Sequence, residues 1–200
     1  MRGIPLEKII PAAKAVYDGG VRVIECTFEQ DTVDPCAVLR RKLSNLTNTF
    51  GDKMLIGAGT VLTPEQVQTA YDAGARMIVT PNTNREVIEL SKKLGMTTVI
   101  GAMTPTEIAQ AYAFGADYIK IFPASHLGAS YIKSVTAPLS HIPLLAVGGI
   151  HPQNIPEFIQ AGVKGFGIGT PLFPKQAIDR ENYEQITTLA HEFCCALHKS

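Results

Sequence analysis

Seven short apolar segments recur along this chain, beginning near positions 21, 53, 76, 97, 117, 143 and 165, about 20 to 32 residues apart, with a helical pattern between each and the next. Hairpin strands return within a few residues, whereas this interval suits a strand, a crossover helix and then a parallel strand. Most of the segments are apolar on both faces, as strands are when side chains cover both sides of the sheet. Gly74, Gly95, Gly115 and Gly162 stand between a helical pattern and the following strand, in the place of a helix C-cap. Thr63-Pro-Glu-Gln66 and Thr104-Pro-Thr-Glu107 each offer a cap, a proline in the first turn and a side chain able to close a capping box. Eight helical stretches with seven strands predict one α/β domain over residues 1–200. The expected architecture is a (β/α)8 TIM barrel whose first strand is missing or truncated at Met1-Arg-Gly-Ile4. A doubly wound open sheet competes with it, but no GxGxxG opens a helix after the first strand.

Charge and composition exclude several classes of function. Eighteen basic and eighteen acidic residues cancel, so no global field draws the chain to nucleic acid or an anionic membrane. An anionic small molecule has to be held locally. No apolar run reaches the roughly 18 residues of a membrane span, and the start lacks a signal peptide's apolar stretch, so a cytoplasmic protein is expected. Cys26, Cys36, Cys194 and Cys195 have neither CxxC spacing nor nearby histidines, and the five histidines form no HxH or HExxH pair. Neither a metal nor an organic cofactor is expected.

One residue breaks the apolar pattern. Asp117-Tyr-Ile-Lys-Ile-Phe-Pro-Ala124 reads as a buried strand with Lys120 in its middle, and burying an ammonium costs several kcal/mol. Two readings are open: a lysine that snorkels or pairs with a carboxylate, or an amine whose lowered pKa lets it attack a ketone. Alternation along Val21-Arg-Val-Ile-Glu-Cys-Thr-Phe28 puts Glu25 on the inward face, with Lys120 as its partner in an ion pair or in acid–base chemistry. Thr60, ending Ile56-Gly-Ala-Gly-Thr60, is placed either to donate to a carboxylate or simply to turn the chain from strand to helix, and Thr80-Pro81-Asn82 and Gly101-Ala-Met-Thr104 end the next two strands with residues that suit a pocket or a turn alone. Val147-Gly-Gly-Ile150 and Gly167-Ile-Gly-Thr170 follow the last two strands, where a helix begun at Pro171 and backbone N–H groups suit a phosphate, or simply a turn.

With these segments in this order, the chain resembles the class I aldolases that cleave 2-keto-3-deoxy-6-phosphogluconate and 4-hydroxy-2-oxoglutarate. The resemblance covers nearly the whole chain and rests on Gly19–Phe28, Ile56–Val61, Thr80-Pro81, Ile119–Ala124, Val147–Ile150 and Gly167–Thr170. It implies that Lys120 forms a Schiff base with pyruvate and that Glu25 moves protons. It further implies that Thr60 holds the carboxylate, that Pro81 and Phe122 line the pocket, and that Gly148, Gly149, Gly169 and Thr170 hold a phosphate. A small keto acid substrate and a homotrimer are the implied partners. Two features depart from the pattern. Glu29 stands where many members carry an arginine, and Arg2 matches an arginine that some relatives carry at the end of the first strand. A phosphosugar isomerase or epimerase on the same barrel, and a catalytically weak metabolite-binding barrel, are the alternatives.

Overall fold

The computed structural model describes residues 1–198 and consists of strands β1 Val23–Thr27, β2 Leu55–Gly59, β3 Met77–Val79, β4 Thr97–Ala102, β5 Tyr118–Ile121, β6 Leu144–Val147 and β7 Gly165–Gly167. The helices are α1 Ile9–Asp18, α2 Pro35–Phe50, α3 Pro64–Asp72, α4 Arg85–Lys93, α5 Pro105–Ala113, α6 Ala124–Thr136, α7 Ile155–Gln160, α8 Lys175–Asp179 and α9 Tyr183–His198. Every strand pairs in parallel with the next, in the order β1 to β7, and the sheet curls into a half-barrel.

Apolar residues on the outer face of the strands join the helices in one large core that includes Ile24, Cys26, Phe28, Ile56, Ile78, Ile100, Ile119 and Ala146. The inner face holds a smaller cluster of Met77, Val79 and Val99, with Leu55 and Leu145 packed on it. Parallel register carries the inner face from strand to strand: Glu25 lies opposite Gly57 and Gly57 opposite Met77, while Gly101 lies opposite Lys120 and Lys120 opposite Leu145. Glu25 and Lys120 therefore project to the same concave side, above the small apolar cluster.

Ahead of β1, Met1 makes one rung on the strand's outer edge: its amino nitrogen donates to the Glu25 carbonyl at 2.5 Å, and the Thr27 N–H donates to the Met1 carbonyl at 3.3 Å. Those two bonds flanking Cys26 have the pattern of a parallel ladder. They set Arg2 beside the C-terminal end of β1.

Three local expectations differ from what is observed. The sequence pattern reads as helical over Gly128–Val135, but the helix after β5 begins at Ala124, and Gly128 sits inside it with φ 79° and ψ 160° as a kink. The helix after β7 begins at Lys175, not Pro171, because the residue before a proline is pushed out of the helical region and Pro174 follows Phe173. Thr104 and Glu107 close a full capping box. At Thr63 only half of one forms: the Thr63 hydroxyl accepts from the Gln66 N–H, but the Gln66 side chain accepts from the Leu62 N–H instead.

The loop after β3 is fastened to β4 through Thr80, which is fully buried. Its hydroxyl donates to the Asn82 carbonyl at 2.6 Å and accepts from the Gly101 N–H at 3.0 Å, and the Thr83 hydroxyl donates to the Gly101 carbonyl at 3.0 Å. A Cβ at Gly101 would lie 2.3 Å from the Pro81 carbonyl carbon, so glycine lets the Pro81 loop close over the strand next to Lys120. Thr80→Val orphans the buried Gly101 N–H and is expected to cost about 1–3 kcal/mol. Urea denaturation measures this directly, and an unchanged midpoint would contradict it.

Candidate active site

Lys120 is half-buried on β5, and burial lowers its pKa from the ordinary lysine value of 10.5; the Glu25 charge opposes that fall and the Arg2 charge adds to it. No carboxylate is in ion-pair contact with its amine among the described residues. Its Nζ lies 5.1 Å from the centroid of the Phe122 ring, so its immediate wall is aromatic. Gly148 lies against the same ring, since a Cβ there would stand 3.0 Å from Phe122 Cε2.

Glu25 does not form the contact ion pair that its position in the sequence suggested. Its Oε2 is buried and no group among the described residues donates to it, which is rare for a buried carboxylate oxygen. Space for it comes from β2: a Cβ at Gly59 would stand 2.5 Å from Oε2. Glycine at 59 thus leaves the carboxylate room that any other residue would fill. The arrangement holds a half-buried acid and a half-buried amine on one face of the sheet, coupled through space yet free of mutual hydrogen bonding. That suits a proton carrier beside a nucleophile better than a structural salt bridge, whose charges need direct contact to offset desolvation.

Arg2 and Thr60 meet at the same rim. Arg2 Nη2 donates to Thr60 Oγ1 at 2.7 Å, and Thr60 has φ 56°, a left-handed conformation uncommon for a β-branched residue. The Thr60 carbonyl accepts from Gln30 Nε2 at 2.8 Å. Glu29 turns the other way: its Oε1 pairs with Lys42 Nζ of α2 at 2.8 Å, and the Lys42 side chain is only 8% exposed. The carboxylate at position 29 is therefore neutralised by a local partner, and Arg2 supplies positive charge near Lys120.

Opposite them, the loops after β6 and β7 bring Gly148, Gly149, Gly169 and Thr170 to the same end of the sheet. Gly149 has φ 69°, and a Cβ there would overlap Ser125 Oγ of α6, so this loop and the start of α6 interlock closely. The Ser125 N–H donates to the Gly148 carbonyl at 3.1 Å, and Asn154 Nδ2 donates to the Gly149 carbonyl at 3.0 Å. Around Gly169 nothing lies within 4 Å of where a Cβ would stand, and Thr170 is exposed. A turn closed by the Phe173 N–H on the Thr170 carbonyl replaces the expected helix start, so the N–H groups here belong to a loop and not to a helix N-terminus.

Sequence reasoning missed Gln30, Gln66, Ser125 and Asn154. Gln66 had a visible signal as a cap residue, but its side-chain direction is set by Leu62 and Gln30, which no periodicity encodes. No helix among the described residues is long and apolar enough to cross a membrane, and no group of three metal-ligating side chains is gathered among them.

The family described as "Aldolase: KDPG and KHG aldolase" matches residues 4–189. The 2-dehydro-3-deoxy-6-phosphogalactonate aldolase of Escherichia coli K12 is 38% identical over 182 residues, covering 90% of this chain and 86% of that enzyme. A native KDPGal structure superposes with a TM-score of 0.89 at 36% identity, covering all of this chain and 92% of its own. The KDPG aldolase of Legionella pneumophila, with pyruvate captured at low pH as a covalent carbinolamine intermediate, gives a TM-score of 0.85 at 31% identity, covering 96% of this chain and 90% of its own. The chain belongs to the KDPG and KHG aldolase family and is an aldolase.

Proposed function

We propose that this chain is one catalytic domain that cleaves a phosphorylated 2-keto-3-deoxy sugar acid to pyruvate and an aldehyde, with Lys120 as the Schiff-base nucleophile. The observation that carries the proposal is Lys120 itself, an amine held at depressed pKa on the same face of the sheet as Glu25, whose buried Oε2 accepts from no group among the described residues. Neutral Nζ adds to the C2 carbonyl to give a carbinolamine, and loss of water with proton transfers through Glu25 gives the iminium. The C3–C4 electron pair then flows into the iminium as Glu25 removes the C4 hydroxyl proton. The aldehyde leaves, C3 of the enamine is protonated, and water releases pyruvate from Lys120.

Arg2 and Thr60 serve an anionic group of the keto acid, Pro81 and Phe122 wall the reacting carbons, and Gly148, Gly149, Gly169 and Thr170 take the phosphate. Within this reading the fold is a (β/α)8-type barrel in which Met1 and Arg2 stand where a strand would flank β1. The assembly is a homotrimer in the cytoplasm, which light scattering of the purified protein tests as a mass of three chains.

For the substrate we favour the 6-phosphogalactonate derivative, because the enzyme of that name in Escherichia coli shares 38% identity, against 29% for the KHG/KDPG aldolase of the same organism. Pyruvate release is to be compared for that acid, its gluconate epimer, an unphosphorylated sugar acid and hydroxyoxoglutarate. The highest kcat/KM is expected for the galactonate derivative; an equal or higher value for the gluconate epimer overturns the substrate assignment.

The charges around Lys120 also fix the pH behaviour. Only the neutral amine attacks, so imine formation rises with pH and levels off above the Lys120 pKa, which burial places below that of a free lysine. Glu25 raises that pKa and Arg2 lowers it. Glu25→Gln should therefore move the acid limb of pyruvate trapping to lower pH, and Arg2→Met to higher pH. Shifts in the opposite directions would contradict the electrostatic account.

A further inference from the structure

Two glutamines link the outer shell to the rim of the site. Gln66, buried on α3, accepts from the Leu62 N–H through Oε1 at 2.7 Å and donates through Nε2 to Gln30 Oε1 at 2.9 Å. Gln30 in turn donates through Nε2 to the Thr60 carbonyl at 2.8 Å. Side-chain amides are often ambiguous between their two orientations, but both ends of this chain are backbone groups of fixed polarity. The Leu62 N–H only donates, so Gln66 must offer it oxygen and turn its NH2 toward Gln30. The Thr60 carbonyl only accepts, so Gln30 must offer it NH2 and turn its oxygen toward Gln66. One orientation satisfies all three contacts, and turning either amide alone sets like groups against each other.

Thr60 is the residue that needs such support. A threonine at φ 56° costs free energy that surrounding contacts must offset. Thr60 is held at two points, by Gln30 on its carbonyl and by Arg2 on its hydroxyl. The residue before Gln30 is anchored as well, because Glu29 is paired with the buried Lys42 and its carbonyl accepts from the Thr32 hydroxyl at 2.9 Å. Gln30 is thus presented from a pinned loop to a strained residue at the mouth.

We infer that Gln30, oriented by Gln66, is a positioning residue that fixes the left-handed turn at Thr60 and thereby aims Arg2 and the Thr60 hydroxyl at the anionic end of the substrate. The inference rests on the proposed role of Arg2 and Thr60 in binding that end. It predicts an effect on substrate capture more than on bond cleavage, since neither Lys120 nor Glu25 touches the glutamine chain.

Steady-state cleavage by Gln30→Met, Arg2→Met and the double variant tests it. Position 30 is exposed, so its replacement leaves the core intact. Loss of a hydrogen bond that orients a charged contact should raise KM about five- to tenfold in Gln30→Met, with kcat within about twofold of the parent. Arg2→Met should raise KM further, and the double variant should exceed Arg2→Met by clearly less than the full Gln30→Met effect, because Gln30 acts in part through the same contact. If Arg2→Met raises KM and Gln30→Met does not, or if the two effects add in full, the positioning inference is overturned while the anion-binding reading stands. If Arg2→Met leaves KM unchanged, the anion-binding reading fails and the inference falls with it.

Discussion

Lys120→Met is expected to abolish aldol cleavage, with a fall in kcat of at least about 10⁴-fold, while leaving the protein folded and more resistant to heat than the parent. Both halves follow from one fact: the ammonium form of Lys120 is disfavoured by burial. The nucleophile disappears with the amine, and methionine fills a similar volume without a charge to desolvate. The pH dependence of the stability gain has a definite sign. Between the depressed folded pKa and the unfolded value near 10.5, the unfolded chain binds a proton at Lys120 that the folded chain does not, so parent stability rises with pH across that window. The advantage of Lys120→Met is therefore largest below the folded pKa and shrinks as pH climbs toward 10.5. Melting curves at several pH values measure it, and a destabilised variant would show that Lys120 is held by stabilising contacts instead.

Glu25→Gln carries the second large effect. A positioned acid–base group contributes about 10²–10⁴-fold to a rate, and an amide of the same shape cannot move the proton. Stability separates this from a structural role. Breaking a buried ion pair typically costs about 3–5 kcal/mol, whereas among the described residues no group donates to Oε2 of Glu25 and none forms an ion pair with it. The expected result is a loss of kcat with stability equal to or above the parent. A variant that unfolds at markedly lower denaturant with kcat preserved would make Glu25 a structural residue.

The order of elements and the direction of the strands were legible because the spacing of apolar runs leaves little freedom in a parallel sheet. Ends were less so. Alternation runs along residues 21–28, whereas β1 spans only Val23–Thr27, although the Phe28 N–H still donates to the Gly59 carbonyl. Gly128 reads as a helix start yet is a kink, since Pro123 already caps the turn that begins at Ala124. At the site, Lys120 and Glu25 were legible as charges on strands that ought to be apolar. Their separation was not, because pairing in sequence space says nothing of side-chain reach. Glu29 looked like an obstacle to an anionic substrate when read alone; its partner Lys42 lies 13 residues away on α2, and only the fold brings the two together. The Gln66–Gln30–Thr60 chain was hidden for the same reason, since it joins a residue of α3 to two loop residues that have no period.

Reduction of the protein with borohydride in the presence of pyruvate, followed by mass analysis of the peptide that carries Lys120, tests the central claim most directly. A reduced pyruvyl adduct on Lys120, absent without pyruvate and absent in Lys120→Met, is the predicted result. An unmodified Lys120 in protein that still cleaves its keto acid would contradict the Schiff-base account.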